Sequence, residues 1–386
     1  MQRKIRIGIA GYGNLGKGVE MAITQSPDME LVGVFSRRNP ADVQLRDSNI
    51  PVHAQNDIAQ FRDQIDVLIL CGGSKNDLPE QGPALAAMFN TVDSFDTHAT
   101  IPEYHAAMDS AAKPAGYTAM ISVGWDPGLF SLNRLYGEAI LPVGATYTFW
   151  GKGLSQGHSD AVRRVPGVKA GVQYTLPAEA AIERVRSGEL PELATREKHK
   201  RECYVVLADG ADAKEVEQSI VSMPHYFADY DTTVNFISEE ELRRDHAAMP
   251  HGGVVIRSGT SDAGTTQVME YTLKLGSNPE FTAAVLVAYA RATWRLNQSG
   301  VTGAQTVLDV APGLLSPKSG RSCGRNCCKS GVPPLTPAAH PASAPAGSAC
   351  NTRRTNQRPP PSTGLPTRTR SVAGQWSTRP AAVPPG

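Results

Sequence analysis

Polar and ionisable side chains gather at a few points in this sequence, each where a strand-like run begins or ends. DSFDTH supplies Asp93, Asp96 and His98, and GWDPG supplies Trp125 and Asp126. FWGKGLSQGHSD (149–160) is rich in glycine and polar groups at a strand end, HKRECYVV places Arg201 at a strand start, and MPHGG places His251 before another. A pocket that offers both carboxylates and cations suits a zwitterion, not a hydrocarbon or a sugar.

A second set of residues points to a bound dinucleotide. Gly11-Tyr12-Gly13-Asn14-Leu15-Gly16 fits G-x-G-x-x-G, follows a strand and opens a helix. In that context Gly11 permits the tight turn, Gly13 admits a pyrophosphate and Gly16 lets helix pack on strand. The helix N-terminus then faces the phosphates. Ser36, Arg37 and Arg38 stand about 20–25 residues further on, where the ribose is discriminated. An acid there would repel a 2′-phosphate, whereas arginine pairs with it and can stack on adenine. The predicted cofactor is therefore NADP, with solvated surface arginines as the plainer alternative. Cys71-Gly72-Gly73-Ser74 closes the next buried run, its small residues leaving room for the diphosphate or nicotinamide ribose. No base lies near Cys71 in sequence, which favours a packed thiol over a reactive one.

The elements that must position these groups alternate. Residues 4–10, 30–36, 65–73, 90–96 and 117–124 read as strands, and 15–25, QGPALAAMF and IPEYHAAMDSAA as helices. That order predicts an α/β fold with a Rossmann-type doubly wound parallel sheet over 1–124. After GWDPG the rhythm changes to strand-like stretches with few helices between them. This predicts a second α+β domain over 125–300 with a mixed sheet. NPEFTAAVLVAYARATWRLNQ (278–298) reads as one long helix capped by Asn278, with Pro279 in its first turn, packing back toward the first domain. Residues 301–319 return to the core.

Of 38 basic and 37 acidic residues, nine basic and no acidic ones lie beyond residue 319, so residues 1–319 are net acidic. Nothing there suggests a nucleic-acid face. The longest apolar run, AAVLVAYA, is far short of a membrane span. Without a disulfide framework or an N-terminal apolar segment, a cytoplasmic location is expected. Residues 320–386 carry 12 prolines and no apolar period. They read as a disordered tail whose composition resembles a shifted reading frame. A basic nucleic-acid arm or a zinc site at Cys323, Cys327, Cys328 and Cys350 fits less well, and no metal is expected.

GYGNLGKGVE, VFSRRNP, VDSFDTH, GWDPGLFSLNRLY, TFWGKGLSQGHSDAVRRVPGV, QYTLP, HKRECYVV, MPHGG and YTLKLGSNPEFTA together resemble the meso-diaminopimelate dehydrogenases, over about residues 4–318. The resemblance implies NADP-dependent oxidative deamination of meso-2,6-diaminopimelate at its D-centre, supplying diaminopimelate for lysine and peptidoglycan. It also implies a homodimer formed through the second domain. NADP would contact Tyr12–Leu15, Ser36–Arg38, Cys71–Ser74, Ser94, Phe95, Asp96 and the run Val123, Gly124, Trp125, Asp126 and Pro127. The substrate would meet Asp96, Asp126, Trp150, Gln156, Gly157, Thr175, Arg201, His251 and Asn278. Arg201 and His251 suit its carboxylate, and Asp96 and Asp126 its ammonium. Asp126, ahead of Asp96, is the candidate proton acceptor, although DPG is also a common turn. His98 and His158 read more simply as structural histidines, and Trp150 as a core residue. Another NADP-dependent dehydrogenase or reductase of similar layout, and an NADP-binding protein that has lost catalysis, are the alternatives.

Overall fold

The computed structural model describes residues 3–262 and 264–318, without the side chains of Gln156 and Asp262. The Pro/Arg-rich segment 320–386 and its cysteines lie outside the described residues. The first layer runs Ile5–Ala10 (β1), Asn14–Thr24 (α1), Met29–Ser36 (β2), Val52–Ala54 (β3), Val67–Leu70 (β4), Leu78–Ala86 (α2), Thr91–Asp93 (β5), Ile101–Ala115 (α3) and Thr118–Met120 (β6). There follow Leu129–Ile140 (α4), Gly144–Trp150 (β7), Gly153–Leu154 (β8), Gln156–Arg163 (α5), Val168–Pro177 (β9), Glu179–Arg186 (α6), Thr195–Lys198 (α7) and His199–Leu207 (β10). Ala213–Val221 (α8), Asp231–Phe236 (β11), Glu239–Asp245 (α9), His251–Asp262 (β12), Thr265–Leu275 (β13), Asn278–Gln298 (α10) and Gly303–Gln305 (β14) complete the order.

Seven strands form one parallel sheet in the order β14-β6-β5-β4-β1-β2-β3. The strand order reverses between β1 and β4, so their carboxyl ends frame the crevice where such sheets bind dinucleotides. β1 is buried at every position except half-buried Arg6. A Cβ on Gly8 would come within 2.8 Å of Ile65 Cδ1.

The remainder carries two sheets. β11-β10-β9-β8 is mixed, with β10 and β11 parallel, and β13-β12-β7 is antiparallel. More helices lie between these strands than the sequence rhythm predicts. They are short: α5 to α9 span four to nine residues.

The expected boundary at residue 300 would place α10 with the second sheets, but its packing places it with the first. Its Ala283, Leu286, Val287, Tyr289 and Ala290 join Ile7, Ile9, Val19 and Val92 in one core cluster. Gly18 makes the crossing with α1 close, since a Cβ there would meet Ala283 Cβ at 2.8 Å. Buried Arg291 of α10 forks onto Asp28 at 2.6 and 2.8 Å. β14 then adds an edge strand to the parallel sheet. The predicted Asn278 cap is also corrected: Ser277 is the N-cap and makes no side-chain capping bond. Asn278 is the first helical residue, and its side chain is used elsewhere.

Candidate active site

The glycine loop has the geometry that a phosphate-binding turn needs. Gly11 adopts φ +95°, open to glycine at little cost. A Cβ on Gly16 would lie 2.3 Å from Gly11 O, whereas one on Gly13 would meet nothing within 4 Å. Open space therefore faces the loop at the position where backbone must approach a ligand. The α1 N-terminus has no side-chain cap and no acid in its first turn, leaving its N–H groups and dipole free for an anion. At the end of β2, Arg38 donates to Tyr12 O at 2.6 Å and so lies against the loop. Exposed Arg37 forks onto Asp77 at 2.7 and 3.2 Å. The residues present fit a dinucleotide carrying an extra phosphate.

Cys71 is packed, and burial pushes its thiol up to about 12, so it is no nucleophile at neutral pH. Ser74 accepts the Asp96 N–H at 2.8 Å and lies 3.3 Å from Thr97 Oγ1, tying the ends of β4 and β5 together. Asp93 and Phe95 are buried. Asp93 accepts from Phe95 N, Ser122 N and Tyr104 Oη, and burial pushes it up to about 6. It braces the sheet and does not line the cavity.

Next to these loops lies a cavity of about 590 Å³. It brings together Ser94, Asp96, His98, Val123–Pro127, Trp150, Gly157, His158, Thr175, Arg201, His251, Asn278 and Thr282. Gln156 opens α5 beside it, but its side chain is outside the described ones. Asp126 sits at one end. Its Oδ2 accepts from Trp150 Nε1 at 2.8 Å, and both oxygens face Arg134, at 2.5 and 3.4 Å. Trp150 is exposed, not core as its plainer reading had it. Its ring stacks on His199, whose Nε2 accepts the Trp150 N–H at 2.8 Å.

Arg201 sits in the same cavity, and a comparison of the described buried arginines isolates it. Arg257 donates to Leu141 O, Pro142 O and Thr146 Oγ1, and Arg291 to Asp28 and Leu315 O. Arg201 donates to Thr175 Oγ1 and lies 3.9 Å over the Tyr230 ring, but its Nε has no partner. Among the described residues no carboxylate pairs with it. Burial lowers the Arg201 pKa, the direction expected of an uncompensated cation.

His251 and His158 are neutral donors and acceptors. His251 accepts the Gly252 N–H at Nδ1 (2.8 Å), leaving Nε2–H to donate, and burial lowers its pKa. His251 thus brings a hydrogen bond to the cavity where the sequence had it serving as a cation. His158, 2.9 Å from Ser155 Oγ, is pushed down to about 4 by burial and then by Arg201. Asn278 Oδ1 accepts from Trp125 Nε1 at 2.9 Å, which joins α10 to the GWDPG turn.

Comparison with known proteins decides the family. Residues 124–277 match the Diaminopimelic acid dehydrogenase C-terminal domain. The meso-diaminopimelate D-dehydrogenase of Lysinibacillus sphaericus is 66% identical over 315 residues, covering 82% of this chain and 96% of that protein. This chain belongs to the meso-diaminopimelate dehydrogenase family. It is an oxidoreductase with that family's fold. A substituted meso-diaminopimelate dehydrogenase of Clostridium tetani, solved with DAP, superposes with a TM-score of 0.80 at 55% identity, over 83% of this chain and 99% of its own. An engineered D-amino acid dehydrogenase bound to NADP+ superposes at 0.73 and 48% identity, over 83% and 98%.

Four residues in contact with the predicted ones escape a reading of the sequence: Asp77, Arg134, His199 and Tyr230. Each touches a predicted residue, but from a different element, and sequence spacing does not encode that contact. Arg134 alone has a local signal, lying eight residues after Asp126 in GWDPGLFSLNR.

Proposed function

We infer that this chain catalyses the NADP-dependent oxidative deamination of meso-2,6-diaminopimelate at its D-configured carbon, giving L-2-amino-6-oxopimelate and ammonia. The observation that carries the reading is the buried Arg201 without a carboxylate, in one cavity with the anion Asp126. A buried cation without a counter-charge is costly and favours a ligand that brings a carboxylate. The far end of the substrate fits there: Arg201 and Thr175 take the carboxylate of the L-centre, and His251 Nε2–H and Asn278 complete its hydrogen bonds. Gly157 closes that side.

The reacting end fits the loops after β5 and β6. Asp126 accepts the D-centre ammonium on the lone pairs that Arg134 and Trp150 leave, and so orients the carbon. Asp96, exposed at the cavity edge, passes the ammonium proton toward solvent. The bound nicotinamide supplies the hydride acceptor. Loss of that hydride and one proton leaves an imine; water adds to the carbon, the C–N bond breaks, and ammonia leaves from a ketone. Trp125 and Pro127 wall the carbon off from bulk water.

Gly11 to Gly16 and the α1 N-terminus would hold the diphosphate of NADP, and Arg37 and Arg38 its 2′-phosphate, with Ser36, Cys71–Ser74, Ser94 and Val123–Gly124 lining the remainder. We assign residues 3–124 with 278–318 to the cofactor layer and 125–277 to the substrate layer. A homodimer is supported by exposed apolar Leu135, Tyr136, Ile140 and Val143 on and just after α4. A cytoplasmic location fits a reaction that draws on the NADP pool, and no described helix is long and apolar enough to cross a membrane. The test is NADPH formation with meso-, LL- and DD-diaminopimelate and with D-alanine. Strong preference for the meso compound is expected; equal turnover of D-alanine, or none of any diaminopimelate, overturns the reading.

A further inference from the structure

We propose that Arg134 is a positioning residue for this reaction, fixing the Asp126 carboxylate in the direction that meets the reacting ammonium. The proposal rests on the reading of Asp126 given above. Arg134 is not among the cavity-lining residues, so it acts through its neighbour. Its guanidinium reaches both Asp126 oxygens, Nη2 to Oδ1 at 2.5 Å and Nη1 to Oδ2 at 3.4 Å. The Asp126 side chain is 4% exposed.

The guanidinium is itself held from two sides. Nη1 lies 3.3 Å from Thr148 Oγ1 on β7, and Nη2 lies 3.4 Å from Ser131 Oγ on α4. Ser131 Oγ also accepts the Gly128 N–H at 3.1 Å, so the same hydroxyl fixes the end of the Asp126 turn. Thr148 and Trp150 stand two residues apart on β7 and therefore face the same side. One strand thus presents a hydroxyl to the arginine and an indole N–H to the aspartate. Planar, two-pronged pairing of this kind fixes direction as well as charge, and lysine cannot reproduce it.

Without the fork, the carboxylate keeps only the indole bond and is free to turn about Cβ–Cγ. Misplacement of a reacting group by about 1 Å costs roughly 10²-fold in rate. Arg134→Met should therefore lower kcat with diaminopimelate about 10- to 100-fold. Affinity for NADP, read by fluorescence titration, should stay within about twofold, because the fork touches neither the glycine loop nor Arg37 and Arg38. Arg134→Lys should fall between the two. A double-mutant cycle with Asp126→Asn supplies the readout that a merely structural role would not move. If Arg134 works through Asp126, Arg134→Met adds little to the loss already caused by Asp126→Asn, and guanidinium ion added to an Arg134→Ala enzyme, which leaves room for it, restores part of kcat. Losses that multiply in the double variant, or an Arg134→Met enzyme within about threefold of the parent, overturn the proposal. Should Arg134→Met fail to fold by circular dichroism, Arg134→Lys enters the same cycle, and multiplying losses there overturn the proposal equally. A parent enzyme inert toward diaminopimelate refutes the functional reading and this proposal together, whereas an active parent with multiplying losses refutes only the role of Arg134.

Discussion

Replacing Arg201 by methionine should weaken catalysis and strengthen the fold at once. The side chain is 7% exposed, its Nε has no partner, and among the described residues Thr175 Oγ1 and the Tyr230 side chain hold it. Methionine keeps most of the volume and removes the charge. In the complex, the lost partner is a buried charge-assisted pair with the substrate carboxylate, about 2–4 kcal/mol when one side is truncated. That converts to a fall in kcat/KM for diaminopimelate of roughly 30- to 1,000-fold. In the free protein the sign reverses. Relief of a desolvated cation gains about 1–3 kcal/mol, and the lost hydroxyl bond and ring contact return about 1–2. The net is a gain of about 0.5 kcal/mol, worth about 1 °C in Tm for a chain of this size. Steady-state kinetics with saturating NADP and thermal unfolding of the free enzyme read the two effects. The Tyr230→Phe variant is the control, since it keeps both the cation and the ring. An Arg201→Met protein that melts several degrees earlier and still oxidises diaminopimelate at the parental kcat/KM would refute the reasoning, because Arg201 would then be a structural cation like Arg257.

The other expectations can be put briefly. Replacing Arg37 and Arg38 by alanine should raise the KM for NADP at least about tenfold, from a charge-assisted pair of about 1.5–3 kcal/mol, and hardly change that for NAD; equal losses would deny the 2′-phosphate contact. Asp126→Asn should lower turnover about 10²-fold or more while NADP affinity holds, and a variant that loses NADP instead would make Asp126 a cofactor contact. A chain ending after Ser319 should keep full activity, because Arg291 and Arg295 anchor the last described turn through Leu314 O, Leu315 O and Ser316 O; loss of activity on that truncation would show that later residues complete the enzyme. His158 and His199 are both pushed down from 6.5 to about 4 by burial, so between those pH values the unfolded chain takes up protons that the fold refuses. Their stability contribution, complete above about pH 6.5, should therefore fall by about 1.4 kcal/mol per pH unit for each as the pH drops. Asp93, raised to about 6 from 3.8, opposes them between those values. Urea midpoints should decrease from pH 7 to 4.5, and a flat or rising profile would contradict the assignment.

The parts legible in sequence are those whose signal is local. β1, the glycine turn and α1 fall within 20 consecutive residues, and the turn chemistry of Gly11 and Gly16 depends on near neighbours alone. The α4 helix is hidden for a local reason too. Leu135, Tyr136 and Ile140 are apolar yet exposed, which blurs the helical period. Gly137 adds to the blur; it is there because a Cβ would come within 2.8 Å of Arg257 Cβ. Asn278 illustrates the opposite failure. Its Asn-Pro pair reads as a helix start, and the helix does start there, but the amide is drawn to Trp125, 153 positions away in sequence, and the capping position falls to Ser277. Charge state is likewise hidden. His251 and Arg201 look alike as cations in a sequence, and only the Gly252 N–H on one and the burial of both separate a neutral donor from a stranded charge.

The position of α10 explains why one cavity can serve two layers. Its body is core to the parallel sheet, locked onto α1 at Gly18 and onto Asp28 through Arg291. Its first residue takes the opposite role: Asn278 N–H donates to Met249 O at 2.9 Å, beside the strand that carries His251, while its side chain receives Trp125 from the start of the substrate layer. The helix therefore carries the alignment of the cofactor sheet to the substrate pocket without a flexible joint at its N-terminal end. Packing deep in the first layer should then matter to chemistry in the second. A bulky residue at Gly18 would shift α10 and move Asn278 and its partner Trp125 together, and both line the cavity. Since displacements near 1 Å cost about 10²-fold in rate, the close crossing of two glycine- and alanine-lined helices is as much a part of the active site as the residues that touch the substrate.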